Sequence, residues 1–152
     1  MRVLSIPYLF WILHLALLKQ YAGIGILMIG FTRDFGAGFF KEKNIRYLIF
    51  VCVVLGITVT FILYNTLIDI LPFAGFLCFC GAAWLRHYPV GFRASNILGE
   101  GCWLLYAMAV SSITLSLASG FMLISLVISM WRHDFKDRSW REALLYKSKP
   151  DI

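Results

Sequence analysis

Charge is scarce in this chain. Asp, Glu, Lys and Arg make up 14% of its 152 residues, where a soluble domain carries about a quarter, so no water-facing domain of any size fits within it. Cysteine is sparse too: Cys52, Cys78, Cys80 and Cys102 all lie inside apolar runs. With no C-x-x-C spacing and no nearby set of histidines, neither a disulfide framework nor a zinc site is indicated, and the four read as small buried hydrophobes. No strand pattern precedes a glycine-rich loop, which excludes a phosphate-binding loop. No Ser, Cys or Asp is placed with a histidine base on adjoining helical faces, so an enzyme is not expected and no cofactor is implied.

What the chain has instead is apolar length. It is 61% hydrophobic with a mean hydropathy of +0.80, and a membrane-crossing helix needs about 20 mostly apolar residues. Reading apolar runs against their breaks predicts helices over 3–18, 21–40, 45–64, 70–85, 92–110 and 113–131. The first run follows Arg2 like a signal peptide but lacks a small-x-small cleavage site, so it reads as a retained helix. The expected class is an all-α membrane protein with six transmembrane helices over residues 1–132 and a basic cytoplasmic tail over 133–152.

Positive residues in short loops collect on the cytoplasmic side, which tests the helix count. Six crossings put Arg2, Arg33, Lys41, Lys43, Arg46, Arg86, Arg93 and the tail residues Arg132, Lys136, Arg138, Arg141, Lys147 and Lys149 on one side, and Lys19 alone on the other. Both termini are therefore expected in the cytoplasm. The net charge of +6 describes a membrane face, so nucleic acid need not be invoked, and anionic lipids are the expected partners there. The tail, with Trp140, Leu144 and Tyr146 among its Arg and Lys, suits a position along that face or a solvated one equally.

The first helix pair resembles the last at an offset of 92 positions, laying Trp11-Ile-Leu-His14 over Trp103-Leu-Leu-Tyr106. Both pairs run out and back, as parallel repeats do. These residues, with LPFAG at 71–75, Trp84 and the basic break after it, Arg93, Ser111-Ser112-Ile113 and Trp131-Arg132, carry a resemblance over most of residues 8–135. In them the chain resembles the YgjV-type bacterial inner-membrane proteins, distantly similar to SWEET and PQ-loop transporters. The resemblance implies an inner-membrane location, two three-helix bundles joined by a linker at 45–64, and small-solute transport. It also implies seven spans, whereas charge gives six in a 2+1+3 arrangement, so a late start or a shortened member is expected. Pro72 is not followed by glutamine, and Gln20 is the one glutamine in the chain; Pro72 reads as a helix start.

Glu100, between Gly99 and Gly101, poses the sharpest question, because a charge near the bilayer centre costs at least about 3 kcal/mol. It lies about 10 Å above Arg93, and Arg33 lies about 12 Å from the same boundary. An Arg33–Glu100 ion pair is one expectation, with Asp34 as competitor. The plainer alternative is a protonated Glu100 bonded to a nearby group, with Arg33 reaching to the interface. Asn96, Glu100, Trp103 and Ala107 share one helical face, which suits a pocket for a small polar solute formed by Asn96, Glu100 and Trp103, or ordinary helix packing. His14 and Tyr106, each about 7 Å below the outer surface, are candidates for an outer gate or structural residues. The functions left open are a carrier or carrier half, and a non-transporting accessory or scaffold protein; a second copy of the chain is a further partner left open.

Overall fold

The computed structural model describes residues 6–40 and 42–132, so the basic tail lies outside the described residues. The described chain is all-helical. Six α-helices follow in order: α1 Ile6–Leu17, α2 Tyr21–Ala37, α3 Glu42–Leu63, α4 Ile70–Trp84, α5 Pro89–Ala109 and α6 Ile113–Met130. Two helices start earlier than the apolar runs suggest. Hydropathy marks where a chain meets lipid, not where it becomes helical. The helix α3 therefore begins inside the charged 41–44 run, and α5 begins at Pro89, whose fixed φ suits a first helical position.

Among the described residues, three stretches are long and apolar enough to cross a membrane: Asn44–Leu63, Leu67–Trp84 and Ile113–Met130. In their most apolar windows only 17, 33 and 11% of residues are buried within the protein. The rest face outward, with Phe61 86% exposed and Ile113 77% exposed. In water each such side chain would forgo about 1.5–3 kcal/mol of burial; against acyl chains nothing is forgone. α5 is long but polar, with Arg93, Ser95, Asn96 and Glu100 along it, and α2 carries Arg33 and Asp34. These two helices thus each hold a carboxyl beyond their first turn, Asp34 on α2 and Glu100 on α5.

The chain divides into two compact units, Met1–Phe76 and Leu77–Ile152. In the first, α2 packs against both α1 and α3. Gly25 lets α2 and α3 close in, since a Cβ there would stand 2.5 Å from Val59 Cγ1. The start of α4 leans on α3 through Phe73 and Phe76 at Gly56. Between α3 and α4 a short 3₁₀ turn, Leu67–Asp69, is held by the buried Asp69 carboxylate. It accepts the Asn65 N–H at 3.0 Å and the Thr66 N–H at 2.9 Å, so Asn65 and Asp69 serve the turn.

In the second unit α5 packs along α6, and the end of α4 crosses onto α5. The Phe79 ring lies across Gly99, where a Cβ would come within 2.6 Å of it. Gly101, two residues on, is different: a Cβ there meets nothing within 4 Å. A Gly99→Ala chain should lose about 1–3 kcal/mol, the usual cost of overpacking. Gly101→Ala should hold its stability or gain up to about 1 kcal/mol from better helix propensity. Unfolding in mixed micelles separates the two; equal losses would mean that the Phe79–Gly99 contact does not set this interface.

Candidate functional site

The two helical hairpins, α1–α2 and α5–α6, turn in the same way. Each first helix ends in a residue with left-handed backbone, Lys19 at φ 57° and Ser111 at φ 55°. In the first turn the N–H groups of Lys19 and Gln20 bond Ala16 and Leu15 carbonyls at 3.0 and 2.9 Å; in the second those of Ser111 and Ser112 bond Met108 and Ala107 at 3.1 and 2.9 Å. This is the Schellman pattern, which satisfies carbonyls left over at a helix end. Every member is offset by 92 positions. Side chains follow: the Trp11 ring meets His14 edge-on at 5.9 Å and 82°, and Trp103 meets Tyr106 at 5.7 Å and 86°. The sequence repeat is thus a repeat of backbone and of ring geometry.

One turn deeper, position 8 of the first hairpin corresponds to position 100 of the second. Both carry a polar side chain that faces the second helix of its own hairpin. Tyr8 donates its hydroxyl to Asp34 Oδ2. Glu100 faces α6, where Ser119, a residue 4% exposed, is its neighbour. Sequence reasoning missed both Tyr8 and Ser119. Folding the helices back about their turns brings each to within about a helical turn of its partner's level, and that signal was there to use.

Arg33 has its carboxylate next door. Its Nη2 and Nε sit 2.7 and 2.8 Å from Asp34 Oδ1, and its guanidinium lies 5.5 Å from the centre of the Phe76 ring. Asp34, Arg33, Tyr8 and Phe76 thus form one cluster in the first unit, with Arg33 buried and Asp34 42% exposed at its side chain. In the second unit, among the described residues, no cation pairs with Glu100. Asn96 gives its amide to the Phe92 carbonyl at 2.7 Å, one turn back on its own helix. Trp103 is buried, and Tyr106 beside it is fully so. His14, in the other hairpin, is half-buried.

A family model described as bacterial inner membrane protein, Imp-YgjV, matches residues 1–137. The chain belongs to the Imp-YgjV family. No curated protein and no solved structure matches it. Membership places the chain in the bacterial inner membrane, and its lipid-facing apolar helices fit that place. An Imp-YgjV chain must therefore satisfy the polar groups of α2 and α5 from within, because lipid offers them no partner.

Asp34→Asn would leave the buried Arg33 charge short of its carboxylate. Stability should fall by about 1–3 kcal/mol, less than for a fully buried pair because Asp34 is partly exposed. Tyr8→Phe should cost about 1 kcal/mol. Replacing both ions, as Arg33→Met with Asp34→Leu, should recover most of the Asp34→Asn loss, since two apolar residues leave no charge stranded. Denaturant titration in micelles measures all three; a double change worse than Asp34→Asn would show that the pair does more than cancel its own charges.

Proposed function

We propose that the chain is a small-solute carrier, or half of one, of SWEET-like type, with six crossings and both termini in the cytoplasm. The observation that supports it most is the doubled hairpin: turn and ring pair recur at an offset of 92. Parallel repeats of this kind characterise carriers whose halves are related by an axis along the membrane normal. A polar solute would meet Asn96, Glu100 and Trp103, an aromatic plate and hydrogen-bonding groups together. On this reading anionic lipids gather at the basic inner face, and a second copy of the chain is a fitting partner for a carrier half.

A specific observation favours the second reading, a non-transporting accessory protein. Asn96 is bonded to its own helix, and Trp103 is only 7% exposed, so two of the three stripe residues are engaged in packing. Water at the stripe distinguishes the readings. In a chain whose four cysteines are replaced by alanine, Asn96→Cys is treated with a membrane-impermeant maleimide in intact cells and in inverted vesicles. A carrier predicts alkylation from at least one face, suppressed when a substrate is bound. No reaction from either face would remove the carrier and leave the accessory protein.

A further inference from the structure

The two sides of α6 are made differently. Leu115 and Ser119 are its buried residues, and at about 3.6 residues per turn Phe121, Ile124, Val127, Ile128 and Trp131 fall on the opposite side. All five are exposed. From Phe121 to Trp131 this stripe runs about 15 Å, the depth of one leaflet's hydrocarbon, which is about half of a 30 Å core. The helical backbone continues past Met130, since Trp131 has φ −59° and ψ −50°. Arg132 therefore stands one turn beyond Ile128, as Trp131 stands one turn beyond Val127. Val127, Ile128, Trp131 and Arg132 line an open groove of about 640 Å³, so a mostly apolar channel ends at a cation. No Asp, Glu, Lys, Arg or His lies between Ile113 and Met130. Glu100 is the one carboxyl among the described residues of this unit. It lies nine residues from the end of α5, and Arg132 nineteen from the start of α6, so about 15 Å separates their levels.

We infer that this groove holds an anionic phospholipid, its phosphate on Arg132 and an acyl chain laid along the stripe from Trp131 towards Phe121. The site rests on the chain's place in the membrane and not on transport, so loss of one leaves the other standing. A guanidinium takes a phosphate through two parallel N–H bonds, and the indole N–H of Trp131 is a further donor at the depth where tryptophan collects in membranes. Charge selects the lipid. Phosphatidylcholine carries an ammonium that answers its own phosphate, whereas phosphatidylglycerol leaves its phosphate to Arg132. A second copy of the chain would bring this face an apolar surface, but its own α6 has no carboxylate for Arg132.

Quenching of Trp131 by brominated lipid tests this. The full chain is placed in phosphatidylcholine vesicles with a minor share of phosphatidylglycerol, and each lipid in turn carries brominated acyl chains, which quench tryptophan on contact. Subtracting the fluorescence of a Trp131→Phe chain isolates Trp131. Mole for mole, brominated phosphatidylglycerol should quench it about fivefold more than brominated phosphatidylcholine, the preference that one basic side chain at an anionic surface confers. Arg132→Gln should remove that preference, and Arg132→Lys should keep part of it. Arg132 is exposed at the helix end, so neither change disturbs the packing of α6 on α5. Equal quenching by the two lipids would overturn the proposal. So would an undiminished preference in Arg132→Gln, which would move the anionic lipid from the groove to the basic tail. Absence of quenching by either lipid would overturn it as well, and Ile128→Cys chains that then cross-link would give the face to a second copy.

Discussion

The whole structure follows from one constraint: a polar group inside the hydrocarbon layer must find its partner within the protein. Each unsatisfied group there costs several kcal/mol, more than most packing contacts contribute. The chain meets this at three ranges. Thr32, Thr58 and Asn96 bond carbonyls one turn back on their own helices, at 2.9, 3.0 and 2.7 Å. Asp69 gathers donors within a single turn. Tyr8 reaches across a hairpin to Asp34 on its other helix. Once these needs are met, outward surfaces can be largely apolar, and each unit's buried core can stay small, around Leu15 and Ile26 in the first and around Trp103 and Tyr106 in the second.

The hairpin is the unit in which this constraint is solved, and it is solved twice with different chemistry. Both hairpins accept a non-glycine residue in the left-handed region at the turn, a cost of about 1–2 kcal/mol, offset by the carbonyls that the Schellman bonds satisfy. A turn fixed in this way fixes the register of the two helices it joins. Position 8 and position 100 then fall at equal distances from their turns. In the first hairpin the residue there, Tyr8, bonds a carboxylate that belongs to an ion pair; in the second the residue there is itself the carboxyl, Glu100.

How much of this was legible in the sequence depends on what signal each feature leaves. Six helices were legible, because runs of apolar residues bounded by charge have few other readings. Their ends were less so, since lipid contact and helix formation stop for different reasons; α5 starts with Pro89, inside what hydropathy marks as a break. The repeat was legible at Trp11 and Trp103, where residue types agree. It was invisible at Tyr8 and Glu100, where a phenol and a carboxyl share a position but not an identity. Depth arithmetic brought Arg33 and Glu100 to one level and named Asp34 as the competing partner, and it is Asp34 that Arg33 pairs with inside the first unit. The face shared by Asn96, Glu100 and Trp103 left a pocket and ordinary helix packing both open, and the bond from Asn96 to the carbonyl four residues back leaves no mark in the sequence, because any helical residue offers that carbonyl.

The two polar helices also differ in what surrounds them. Contacts on both sides of α2, from α1 and α3, leave its acidic group fixed between Tyr8 and Arg33. Along α5, glycine plays opposite roles within three residues: Gly99 is filled by the Phe79 ring, and Gly101 is filled by nothing. Phe79 clamps α4 to α5 at Gly99, next to Glu100 in sequence. In the first hairpin Gly30 lies under the Tyr8 ring, so the close approach there is made within the hairpin, whereas in the second it is made by a helix from outside it.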